Sequence, residues 1–107
     1  MLTEQHIEDA VRRVVAAARE PLKVILFGSY GRGEATEFSD LDLLVVERET
    51  ADAGEEMMRL QDAIGVLAVG VDLLVYSEAD FEQRRHWCST PVYWATREGR
   101  VLYDRQQ

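Results

Sequence analysis

Cysteine is nearly missing from the chain: Cys88 is the only one in 107 residues. An intrachain disulfide is thereby excluded, as is a metal centre built on cysteine. With no base paired to it in sequence, Cys88 is expected to pack rather than react. Long apolar runs are also missing. None approaches the roughly 20 residues that cross a bilayer, and the N-terminus lacks the basic, apolar and cleavage regions of a signal peptide. The cytoplasm is the expected location, with no membrane partner. Positive charge is scarce, 12 Lys and Arg against 20 Asp and Glu, for a formal net charge of -8. That balance argues against a chain that grips a nucleic-acid backbone, so no direct nucleic-acid contact is expected and a basic protein partner fits better. Repeats, low-complexity segments and linkers are absent, so residues 1–107 are expected to form one compact domain. What is present is ordinary folding material, 47% hydrophobic and 30% charged.

Helical periodicity marks Ile7, Ala10, Val11, Val14, Val15 and Ala18, with Thr3 as N-cap and Glu20-Pro21 as the stop. A second stripe runs through Ala53, Met57, Leu60, Ala63, Ile64 and Leu67, interrupted late by Gly65, and its methionines are expected to fill core. Short apolar, partly β-branched runs at Leu22–Phe27, Leu41–Val46 and Val71–Tyr76 read as buried strands. Ser77 with Asp80, and Thr90 with Pro91, resemble helix starts. Gly99 would close the last helix as its C′ residue, ahead of a short strand at Arg100–Tyr103. Strands alternating with helices predict a layered α/β or α+β domain with a small mixed sheet flanked by helices.

Three residues break the strand rules. Asp40, Asp42 and Asp72 stand at the start of apolar strand runs, where aspartate is depleted. Side chains alternate along a strand, so Asp40 and Asp42 share a side, about 7 Å apart at roughly 3.4 Å per residue. Val71-Asp72-Leu73-Leu74-Val75 repeats the pattern of Leu41-Asp42-Leu43-Leu44-Val45, and pairing of the two strands would gather all three acids. A lone aspartate there is more often a solvated strand end or a cap. Three together repel unless a cation sits among them, and oxygen-only ligation favours Mg²⁺ with phosphates and water completing its shell.

Directly after the first strand run, Gly28-Ser29-Tyr30-Gly31-Arg32-Gly33 could offer backbone N–H groups and the Ser29 hydroxyl to phosphates, with Arg32 adding positive charge. It is neither a P-loop nor a dinucleotide fingerprint, and alone it reads equally as a tight turn. Gly28-Ser29, ten intervening residues, then Asp40-Leu41-Asp42 resembles the signature of the DNA polymerase β-like nucleotidyltransferase superfamily. The stretch from Gly28 through Gly33 to Ser39-Asp40-Leu41-Asp42-Leu43 is most similar to the minimal nucleotidyltransferase (MNT) family. The resemblance extends to Asp72 as third acid and, more loosely, to the Glu98–Tyr103 ending. Gly31 stands where many relatives have alanine, a departure expected to loosen the loop slightly.

The resemblance implies a nucleotidyltransferase fold and a Mg²⁺-dependent enzyme, with two ions about 3.5 to 4 Å apart and ATP as substrate. Asp40 and Asp42 would hold both ions. Asp72 would share the acceptor-side ion and help deprotonate the acceptor, while Gly28, Ser29 and Arg32 bind the nucleotide phosphates. It further implies an antitoxin that attaches AMP to a tyrosine of a HEPN-domain ribonuclease toxin. Two other readings stay open: an antitoxin that masks its partner by contact alone, and transfer to a small molecule, against which the chain's small size speaks. The toxin role itself is disfavoured, because neither His6 nor His86 has an Arg four to six residues before it. His86 is expected at the surface. Trp87, Tyr93 and Trp94 are expected to pack in the core or anchor an interface. The acid-rich Glu47–Glu56 stretch is expected to be a solvated turn and helix start.

Overall fold

A computed structural model describes residues 1–106. Helix α1 spans Glu4–Ala17. Thr3 opens it as predicted: its hydroxyl accepts from His6 N–H at 3.2 Å, and the His6 imidazole accepts from Thr3 N–H at 3.2 Å, a capping box with histidine in the usual Glu position. Ile7, Ala10, Val11 and Val14 form its buried stripe. The helix ends well before Pro21, because Ala18 is already extended and the next N–H, on Arg19, turns to a buried carboxylate described below.

The strands are β1 (Pro21–Phe27), β2 (Leu41–Glu47), β3 (Val71–Ser77) and β4 (Arg100–Asp104), in sheet order β3-β2-β1-β4. β1 runs antiparallel to β2 and β4, whereas β2 and β3 are parallel. A parallel pair needs a crossover, which helix α3 (Ala53–Ile64) provides. Asp52 caps α3 by accepting from Glu55 N–H at 3.0 Å, and Gly65 stops it with φ +78. Ala53 is therefore an exposed helix start, and Leu67 packs against the core from the following loop. The sheet is mixed, as expected.

Alternation splits the strands between two apolar layers. Val24, Leu26, Leu41, Leu43, Val45, Leu73 and Val75 face α1 and α3. Ile25, Leu44 and Val46 face Phe81 of α4 (Glu78–Arg84) and Val92 and Ala95 of α5 (Pro91–Glu98). Both late caps are found: Ser77 accepts from Asp80 N–H and Thr90 from Tyr93 N–H. Gly99 does not adopt the left-handed C′ conformation, since its φ is -82. It is a packing glycine instead: a Cβ there would press on Ala95 O, lie 2.7 Å from Ile25 Cγ2 and 2.8 Å from Leu26 O.

Other expectations need correction. Cys88 is exposed rather than packed. Met58 is 65% exposed, and of the pair only Met57 touches the core. Trp87 and Trp94 are half-exposed; Trp94 stands edge-on to Tyr93 and donates its indole N–H to Cys88 O at 2.9 Å. The Glu47–Glu56 stretch is not merely solvated, because both of its end residues are buried. Arg19 N–H reaches Glu47 at 3.1 Å and Glu56 at 3.4 Å, while Arg59 grips Glu56 with two bonds of 2.9 and 2.8 Å. Burial and the adjoining Glu56 push the Glu47 carboxyl up to about 7. Burial also acts on Glu56, but contact with Glu47, Arg59 and the Arg19 N–H outweighs it and holds Glu56 below the usual carboxylate range. Only long-range pairing buries these acids, which is why composition concealed them.

Candidate active site

The repeated Asp-Leu-Leu-Val pattern has a structural meaning. β2 and β3 pair in parallel with Asp42 opposite Asp72, Leu43 opposite Leu73 and Leu44 opposite Leu74. Asp42 alternates with Leu43 and lies on the same face as Leu44, beside Phe27 at the end of β1. Asp72 is exposed on the outer strand, Asp42 is half-buried, and Asp40 is exposed just before β2. Burial, then the facing Asp72 carboxyl, then Asp40 push Asp42 up to about 6, and Arg32 opposes the shift. The three acids therefore act on one another.

Two glycines make this approach possible. A Cβ on Gly28, which has φ +66, would collide with Asp42 Oδ2 and lie 3.0 Å from its Cγ. The positive φ and the missing side chain are both required there. A Cβ on Gly70 would lie 2.7 Å from Asp40 Oδ1, and Gly70 O accepts from Leu41 N–H at 2.8 Å. Gly70 carried no motif in the sequence; only the strand register reveals what it faces.

The Gly28–Gly31 segment is one helical turn, α2, rather than an irregular loop. Its first residues follow β1 directly, so Ser29 sits half-buried next to the carboxylate row. Gly31 is buried, and a Cβ there would stand 2.6 Å from Leu26 O. It tightens the contact of this turn with β1, contrary to the loosening expected. Arg32 is engaged by Glu34 at 3.2 Å and Glu98 at 3.6 Å. Any contact of Arg32 with phosphate must compete with these two carboxylates.

Among the described residues no three carboxylate, imidazole or thiol groups form a ready-made cation cage. The donor set nevertheless suits magnesium, which commonly takes one or two protein carboxylates and completes its shell with phosphate and water. Burial first, and the neighbouring acids second, disfavour the charged form of Asp42, and a cation among the acids would offset both. A cavity of about 690 Å³ between α1 and β4 includes Val11, Leu102 and Tyr103 and none of the three acids.

A mixed sheet that ends β1 in a Gly-Ser turn and sets acids on two parallel neighbours defines the nucleotidyltransferase class. Residues 7–101 match the family model described as "Nucleotidyltransferase domain", and the chain belongs to that family. It is similar to a candidate protein adenylyltransferase of Methanocaldococcus jannaschii, at 34% identity across 96% of this chain and 100% of the relative. Among solved structures it resembles a chain of the complex between tri-AMPylated Shewanella oneidensis HEPN toxin and MNT antitoxin, with TM-score 0.65 and 22% identity over 98% of this chain and 76% of the other. A candidate nucleotidyltransferase of Sulfolobus solfataricus matches with TM-score 0.63 and 16% identity over 96% and 81%. At such identities the structural matches establish the fold. No helix among the described residues is long and apolar enough to cross a membrane.

Proposed function

We propose that residues 1–107 are a single minimal nucleotidyltransferase domain that moves AMP from ATP to a hydroxyl of a partner protein, a tyrosine of a HEPN ribonuclease toxin, and so neutralises it. The observation that carries the reading is the Asp42–Asp72 pairing in register beside the Gly28-Ser29 turn. The adenylyltransferase relative and the AMPylated toxin complex support the donor and the acceptor class.

In this reading Asp40 and Asp42 would hold magnesium, and Asp72 would share it on the acceptor side. When bound, the metal neutralises phosphate oxygens and eases departure of pyrophosphate. Gly28 and Ser29 orient the β- and γ-phosphates, and Arg32 contributes charge once released from Glu34 and Glu98. Asp72 takes the proton of the incoming hydroxyl, whose oxygen attacks the α-phosphorus. The bond to the bridging oxygen breaks as pyrophosphate leaves opposite it. With the site open along the exposed Asp72, the partner itself positions the acceptor.

The test mixes chain, HEPN partner, ATP and Mg²⁺ and weighs the partner by intact mass spectrometry. One or more AMP units on the wild-type reaction, and none with the Asp40→Asn/Asp42→Asn double variant, are expected. Equal modification by that variant overturns the assignment. The competing outcome is neutralisation by masking alone. Inhibition of the toxin with no added mass would select it.

A further inference from the structure

We propose that Gly70 is a positioning residue for Asp40: the space left by its missing side chain is the slot that holds the Asp40 carboxylate beside Asp42 and Asp72. The inference rests on reading those three acids as the magnesium and nucleotide site.

Asp40 needs such a device more than its neighbours. Asp42 lies within β2, half-buried and confined between the Gly28 turn and Asp72. Asp40 lies outside the strand on exposed backbone, where an aspartate ordinarily samples several rotamers. Its carboxylate rests against Gly70, which immediately precedes β3. A Cβ built at Gly70 would stand 2.7 Å from Oδ1, 3.2 Å from Cγ and 3.7 Å from Oδ2 of Asp40. Gly70 is thus to Asp40 what Gly28 is to Asp42: a floor with no side chain under a carboxylate.

The two floors differ in what they cost when filled. Gly28 has a positive φ, so a side chain there strains the backbone as well as the site. Gly70 is not among the glycines with positive φ, and it is exposed. Alanine fits its backbone, and the hydrogen bond from Leu41 N–H to Gly70 O needs no side chain. The only obstacle to a methyl group is the far end of a side chain that can swing into solvent. Gly70→Ala therefore separates site from fold: the chain keeps its structure while Asp40 leaves its slot.

The experiment compares wild type, Gly70→Ala, Asp40→Asn and the Gly70→Ala/Asp40→Asn double variant by thermal melting and by calorimetric titration with ATP in the presence of Mn²⁺. Gly54→Ala, at the start of α3 where the added Cβ meets Asp52 at an ordinary 3.5 Å, serves as the control. Gly70→Ala is expected to melt at or a few degrees above wild type and to lose about tenfold or more in metal-dependent ATP affinity, the scale of removing a ligand-orienting contact. In the double variant the loss should equal that of Asp40→Asn alone, because Gly70 acts only through Asp40. Wild-type affinity in Gly70→Ala, additive losses in the double variant, or a melting point several degrees lower would each overturn the proposal. Absence of metal-dependent ATP binding in wild type would instead remove the site reading and this inference with it.

Discussion

The buried acid pair at the far end of β2 makes stability depend on pH in an unusual direction. Glu47 has a folded value of about 7 against an ordinary 4.5, so its carboxyl is protonated in the native state where the unfolded chain is already ionised. Stability from this group is complete below about pH 4.5, falls as pH rises through 7, and is gone above it. At roughly 1.4 kcal/mol per tenfold change in proton affinity, the step from 4.5 to about 7 amounts to a loss of about 3 to 4 kcal/mol. That is an upper bound, because the same contact shifts Glu56 the opposite way. Glu47→Gln retains a donor towards Glu56 and abolishes the titration. Urea unfolding between pH 5 and 8.5 should show the variant gaining on wild type by about 1 to 3 kcal/mol as pH rises, with the pair nearly equal at pH 5. Taking the difference between the two proteins cancels the contribution of Asp42, which also titrates in this range. A difference that stays flat across the range would refute the raised Glu47 carboxyl, and a widening gap in favour of wild type would reverse the sign of its shift.

Three further outcomes follow from the geometry. Asp72→Asn should bind ATP within about tenfold of wild type yet lose about a hundredfold or more in transfer rate, measured by single-turnover labelling of the partner, the scale of removing a positioned base. Gly99→Ala should lower stability by about 1 to 3 kcal/mol in denaturant titration, since two backbone carbonyls and Ile25 must yield to the new methyl. Leu60→Ala, at a fully buried position of α3, should cost about 2 to 5 kcal/mol in the same assay; a loss below 1 kcal/mol would mean that α3 packs more loosely than described.

The sequence exposed most of what local chemistry controls. Thr3, Ser77 and Thr90 announce their helices because a hydroxyl cap is a short-range device, and Asp42 and Asp72 announce their pairing because each opens the same apolar pattern. What escaped depends on contacts distant in sequence. Glu47 and Glu56 look like solvated acids until α1, β2 and α3 converge on them. Gly31, Gly70 and Gly99 are indistinguishable from turn glycines until a second segment presses against the missing side chain. The Gly28–Gly31 segment is legible as a turn but not as a helix, since two of its four residues are glycines with poor helix propensity. Cys88 is exposed in the turn between α4 and α5, and Met58 on the outward side of α3, a tertiary outcome that residue type does not reveal.

The parallel pairing of β2 with β3 also sets the order in which competence can arise. The antiparallel contact of β1 with β2 already brings Phe27 and the Gly28 turn beside Asp42. Asp72 arrives from 30 residues further along, and only after α3 has carried the chain back across the sheet. Loop closure makes that the slower contact. A chain whose crossover helix has not docked possesses the turn and two acids but lacks the third. Completion of the acid row thereby becomes a record of completed folding.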